Sequence, residues 1–229
     1  MGNKSGNAYG LTALIPIEEG SENNISYDKI LRDKLQCWPV HEKSPMASVP
    51  NTYLCRLYLL NDCFYQGHSA EEEHLANKYL VFSSNFYGDL EPYLEGMWNH
   101  ASETLCDLLV HCVDFVGTDS AVNFVDYIKR CQVKTSLFFN GSTDQSLKEQ
   151  LKGLYLKQAF SHFSYMTQPF QSQGEEGAKR LQKAYQKFVQ HCQPDNLDEP
   201  TWPVAATQLP ENLESEIQTI IDNIAGENK

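Results

Sequence analysis

The chain predicts an α+β fold: one antiparallel sheet with helices on one of its faces, plus additional helices toward the C-terminus. Three observations carry this expectation. The runs Tyr53–Leu60 and Tyr79–Phe86 are apolar and aromatic, have strand length, and are separated by a polar excursion. A Gly88-Asp89 turn then leads into a long amphipathic segment from Glu91 to Asp114. The 229 residues suffice to bury a sizeable core.

The elements follow in order. Tyr9 to Ile17 is β-rich, and Pro16 marks its end or an edge position. After a turn at Glu18-Glu19-Gly20-Ser21, Ser26 can cap a helix whose apolar positions are Tyr27, Ile30, Leu31 and Leu35. Pro39, Pro45 and Pro50 interrupt regular structure before the strand Tyr53–Leu60. The segment from Asn61 to Asn77 holds Glu71-Glu72-Glu73, His68 and His74 and reads as a solvated loop. After the strand Tyr79–Phe86, Asp89 caps the next helix, with Pro92 tolerated in its first turn. That helix places Leu94, Met97, Ala101, Leu105, Leu108 and Cys112 on one face and His100, Glu103, Asp107, His111 and Asp114 on the other. A short helix from Ser120 to Cys131, a strand from Lys134 to Asn140, and helices at Ser146–Met166 and Gly177–Cys192 follow.

From Pro194 the chain turns proline-rich and ends in a short helix, Leu213–Ile224, with Ile217, Ile220, Ile221 and Ile224 on one stripe. The order of strands and helices is that of a split β-α-β arrangement, ferredoxin-like, with one inserted helix. The expected organisation is a ferredoxin-like α+β domain with C-terminal helices over residues 1–193 and a proline-rich tail over 194–229. The sheet then has an open face, to be covered by the C-terminal helices, a second subunit or a ligand.

Charge narrows the function classes. There are 18 Lys+Arg against 30 Asp+Glu, a net charge of −12. Such a balance disfavours nucleic acid, whose phosphates need clustered cations, and anionic membrane surfaces. No run has the length of a bilayer span, and the N-terminus lacks the apolar core of a secretory signal. The seven cysteines are scattered, without a Cys-x-x-Cys, as expected of free thiols in a reducing, cytoplasmic setting.

A resemblance emerges in the middle of the chain. Ser44-Pro45-Met46-Ala47, Pro50-Asn51-Thr52-Tyr53-Leu54-Cys55-Arg56 and Leu80-Val81-Phe82-Ser83-Ser84-Asn85-Phe86-Tyr87-Gly88-Asp89-Leu90 resemble a family of poorly characterised bacterial proteins. That family carries a Ser-Pro-Phe motif, a Gly-Thr-His with a nearby strand Arg, and a Ser-Asn-Phe-Asp-Gly. Tyr53 stands here where the family tends to have His. The wider group resembled is the dimeric α/β-barrel group of dye-decolourising peroxidases, chlorite dismutases and small monooxygenases. The resemblance implies a homodimer, haem or another small-molecule ligand, and oxidative chemistry.

The residues themselves offer a short set of candidates. Arg56 lies inside an apolar strand, where a guanidinium needs a paired carboxylate or a ligand anion. Ser83 and Asn85 put polar atoms near a strand end before a helix start, a place that favours ligands but also serves turn and capping bonds. With Tyr53 they form the expected ligand-binding set. His162, beside Phe163 and Met166, is the candidate metal or haem ligand, or else a core histidine bonded to a carbonyl. The row of His100, Glu103, Asp107 and His111 is either a metal-binding face or a solvated one. No nucleotide-binding, hydrolase or zinc-protease motif occurs.

Two functions follow as expectations. One is a small-molecule or haem-binding protein of the dimeric α/β-barrel type, peroxidase- or monooxygenase-like. The other is a non-catalytic accessory or assembly protein whose sheet face and C-terminal helix bind a protein partner.

Overall fold

The sheet alternates between two chemistries, one on each face. The computed structural model describes residues 2–69, 71–115 and 120–226. The chain is mixed, with helices and an antiparallel sheet, and divides into two compact units, Met1–Leu147 and Lys148–Lys229.

In the first unit the strands are β1 (Lys4–Ser5), β2 (Ala8–Pro16), β3 (Ser21–Glu22), β4 (Ile25–Ser26), β5 (Thr52–Leu60) and β6 (Tyr79–Tyr87). The helices are α1 (Tyr27–Cys37), α2 (Leu90–Leu109) and α3 (Ala121–Cys131). The main sheet has the order β1-β2-β6-β5, and all its pairings are antiparallel. β3 and β4 form a separate small hairpin. β6 therefore lies between β2 and β5, which run in the same direction with α1 between them in sequence.

Register assigns each face. Leu11, Ser84 and Cys55 form one cross-strand row, Ala13, Phe82 and Leu57 the next, and Ile15, Leu80 and Leu59 the third. This face meets α2 and α3 through Leu94, Met97, Leu105, Leu108, Phe124 and Ile128, all buried in one core. Period-two alternation then sends Thr12, Ser83 and Arg56 to the opposite face, with Leu14, Val81 and Tyr58 beside them.

The fourth strand is not the expected one. Residues 134–140 form no strand; the sheet's fourth member is β1, only Lys4–Ser5. The physical reason is competition for one edge. Asn3 reaches from the N-terminal segment to both neighbours, donating from Nδ2 to Gly10 O at 2.8 Å and to Thr135 Oγ1 at 3.0 Å. What remains of the expected pairing is a single bridge, Ala13 to Gln132, with Val133 N donating to Thr12 O. Phe138 then lies on Gly10, where a Cβ would come within 2.8 Å of its ring.

The helix expected to reach Asp114 ends at Leu109 and is kinked at Ala101. Beyond its end His111 leaves the helical row and stacks on Tyr27, with ring centroids 4.1 Å apart.

In the second unit α4 (Leu147–Met166), α5 (Gly174–Cys192) and α6 (Leu213–Gly226) surround a core of their own. Residues of the expected proline-rich tail and its short terminal helix belong to that core: Trp202, Leu213, Ile217, Ile221 and Ile224 are buried. Trp202 and the isoleucine stripe supply apolar surface that covers α4 and α5 within the second unit. The last expected tail residues, 227–229, lie outside the described ones.

Candidate functional site

Strand β5 presents Leu54, Arg56 and Tyr58 on the face turned away from α2. Leu54 is 50% exposed and Tyr58 is 49% exposed. Arg56 is exposed, and among the described residues no carboxylate or acceptor pairs with it. Ser83 is its cross-strand neighbour, and Thr12 completes the row. Asn85 sits in the next row, between Gly10 and Leu54. Val81, in the row of Leu14 and Tyr58, is buried, so the exposed part of this face is a strip along β5.

Tyr53 is set apart. It occupies the irregular step between Thr52 and Leu54, where β5 carries an extra residue against β6. Its hydroxyl donates to the Gln145 carbonyl, a tie between β5 and the chain before α4. The register thus brings together three of the four expected ligand-binding residues, Arg56, Ser83 and Asn85, and sends Tyr53 to a structural bond.

The neighbouring serine has a different role. Ser84 turns into the core, where its Oγ lies 2.8 Å from Tyr93 Oη and 3.2 Å from Leu54 O. Thr52 Oγ1 lies on the other side of the phenol at 3.0 Å and also donates to Val49 O. The Tyr93 ring stacks on Phe86 at 3.6 Å. Burial raises the Tyr93 phenol above its ordinary value, and burial pushes the Cys55 thiol up to about 12. The hydroxyls of Thr52, Ser84 and Tyr93 are hydrogen-bonded to one another and to backbone carbonyls, as a structural network requires. The sequence does carry a signal for Tyr93: it lies one turn before Met97 on the apolar stripe of α2, where a phenol needs a hydrogen-bonding partner.

His162 belongs to the second unit. It is half-buried on α4 and makes no hydrogen bond among the described residues. A haem needs an apolar slot opened against its axial ligand. The cavity described in that unit is lined by Tyr155, Glu199, Thr201 and Glu216 and takes in no histidine. The apolar cavity of the first unit, between Leu57, Phe82, Met97 and Phe124, is about 10 Å³, close to the room of one water molecule. Neither cavity is lined by a histidine.

His100, His111 and His74 are engaged separately. His100 Nδ1 bonds to Gly96 O at 2.7 Å, Asp107 pairs with Lys34, and His111 Nε2 is 3.8 Å from Glu22. His74 Nδ1 lies 2.7 Å from Asp62. The Asp62 carboxyl is lowered to about 2 by the His74 hydrogen bond and by the backbone N–H groups of Leu75 and Cys63. Among the described residues no group of three or more His, Cys, Asp or Glu is placed to hold a metal ion. No helix among them is long and apolar enough to cross a membrane.

No family model, curated protein or solved structure matches the chain.

Proposed function

We propose that the chain is a binding module whose β5 strip, Leu54, Arg56 and Tyr58, holds a protein partner that presents a carboxylate between apolar side chains. The observation that carries this reading is the unpaired Arg56 guanidinium on a sheet face, in a chain of net charge −12. Side chains two apart on a strand stand about 7 Å from one another on one face. Leu54 and Tyr58 therefore flank the cation as apolar contacts. Arg and Tyr are also the residue types that dominate binding energy at protein interfaces.

The sheet is proposed to be ferredoxin-like. β6 between two strands of the same direction, with α1 linking them, supports this, and β1 takes the edge a full fourth strand would occupy. Self-association through the face is the weaker alternative. Its rows contain no Asp or Glu, so a second copy would meet Arg56 with another uncompensated guanidinium.

Selection of displayed peptides on the purified chain tests the proposal. Enriched sequences are expected to carry Asp or Glu with apolar neighbours. Arg56→Glu should weaken their binding at least tenfold, and Lys43→Glu, an exposed charge reversal elsewhere, should not. Binding indifferent to Arg56→Glu would overturn the proposal. So would a concentration-dependent dimer that Arg56→Glu dissociates. A Soret band in protein produced with haem precursor would overturn it in favour of the haem-binding, oxidative reading.

A further inference from the structure

Resting on the β5 strip as the docking surface, we propose that the open edge of β5 takes an extended segment of the same partner protein as an added strand, antiparallel to β5. The main sheet would then continue past β5 by strand addition.

The two edges of the sheet are treated differently. β5 ends the order β1-β2-β6-β5. On the β2 side the chain covers its own backbone: Gly10 N donates to Asn3 O at 2.9 Å, Val133 N to Thr12 O at 2.8 Å, and Val113 N to Pro16 O at 2.8 Å. Those bonds fix the parity of the whole sheet. Gly10, Thr12 and Pro16 turn their main-chain groups away from β6, so Leu11, Ala13 and Ile15 bond to it. Leu11 and Ala13 stand opposite Ser84 and Phe82, which leaves Ser83 and Val81 to bond Arg56 and Tyr58. The bond from Tyr87 N to Asn51 O, at 3.1 Å, keeps the same alternation. Cys55, Leu57 and Leu59 therefore point N–H and C=O out of the sheet, and among the described residues no hydrogen bond reaches these groups. β5 runs for nine residues without Pro or Lys, the residues that usually blunt an edge of this length.

Register and charge specify the added strand. Bonds to Cys55, Leu57 and Leu59 put Arg56 in a non-hydrogen-bonded pair, where opposed Cα atoms are about 4.5 Å apart and side chains are closest. A carboxylate opposite Arg56 meets a guanidinium that has no other partner among the described residues. Leu54 and Tyr58, on the same face, stand opposite the residues two before and two after that acid. The partner segment thus reads apolar, any, acidic, any, apolar. A second copy's β5 does not fit, because Thr52–Leu60 contains no Asp or Glu.

The test uses the full chain and the designed peptide acetyl-Thr-Val-Thr-Glu-Thr-Val-Thr-amide, with NMR titration and amide hydrogen exchange as readouts. The peptide is expected to bind, and its analogue with Gln in place of Glu at least tenfold more weakly. N-methylation of the two threonines beside the glutamate, whose N–H groups would face β5, should abolish binding. N-methylation of the two valines, whose N–H groups would face solvent, should not. The amides of Cys55, Leu57 and Leu59 should exchange fast in the free chain and slowly with peptide, while those of Leu54, Arg56 and Tyr58 exchange slowly in both. The same two methylation patterns are applied to Arg56-dependent peptides from the display selection. Indifference to both patterns, with binding still lost in Arg56→Glu, would overturn strand addition and leave the β5 strip standing as the docking surface. Amides of Cys55, Leu57 and Leu59 already protected in the free chain would overturn it as well. So would protection that grows with chain concentration, which assigns the edge to a second copy. A chain that binds no Arg56-dependent peptide would overturn strand addition and the docking role of the strip together.

Discussion

Ser84 Oγ and Tyr93 Oη meet at 2.8 Å in the core between the sheet and α2, while Ser83, one residue earlier, faces the other way toward Arg56. Adjacent residues of one strand thus serve opposite purposes. One anchors a helix to the sheet, and the other lines a surface.

Tyr93→Phe keeps the stacked ring and removes the hydroxyl that links Thr52 to Ser84. Both partners retain backbone acceptors, Val49 O and Leu54 O. The loss should be about 1 kcal/mol in urea unfolding, the usual net worth of one hydrogen bond. Tyr93→Phe combined with Ser84→Ala should cost less than the sum of the two, because they share that bond.

Stability should fall at alkaline pH. Burial raises the Cys55 and Cys112 thiols to about 12 from an ordinary value of 9.0, and raises the phenols of Tyr93 and Tyr127 above their ordinary 10.0. An acid whose folded pKa is raised keeps its proton longer in the folded state. Its contribution is fully present below the unfolded pKa and is lost as pH rises from there toward the folded value. Urea midpoints should therefore be flat from pH 7 to about 8.5 and decline from about pH 9 upward. A flat profile to pH 11 would contradict the burial of these groups.

Arg56→Leu should change stability by less than about 0.5 kcal/mol, because an exposed guanidinium with no partner gives the fold no ion pair to lose. The same variant should abolish carboxylate-dependent peptide binding. Gross unfolding would show that Arg56 supports the sheet itself.

Ile217→Ala should cost about 2–5 kcal/mol, since Ile217 is fully buried among the helices of the second unit. Circular dichroism and limited proteolysis would report it. A stripe free to clasp a partner would instead leave stability unchanged and affect binding alone.

Much of the local structure is legible in the residues. The alternation in Thr52–Leu60 and Tyr79–Tyr87 identifies both strands, and the helical spacing of Leu94, Met97, Ala101, Leu105 and Leu108 identifies α2 and its buried side. Arg56, Ser83 and Asn85 are also separable as one set, since period two places Arg56 on the side opposite Cys55 and Leu57. Helical spacing marks Tyr155 and Phe163 on α4, but not Lys152. The buried positions of α4 are Lys152, Tyr155, Ala159 and Phe163, while the more conspicuous Leu154 is exposed. A lysine on a buried stripe becomes intelligible only when the carbonyls of Cys192 and Pro200, 40 and 48 residues away, arrive at its ammonium.

The sequence alone determined which residues share a strand face or a helix stripe, because those periods are set by backbone geometry within a few residues. Only the tertiary structure decided which surfaces are covered and by what. It gave the sheet edge to Lys4–Ser5 rather than to 134–140, turned the α6 isoleucines into the second unit's core, and left the β5 strip exposed. Those outcomes depend on competition between distant segments for the same apolar surface and the same backbone groups, and no local pattern records who wins.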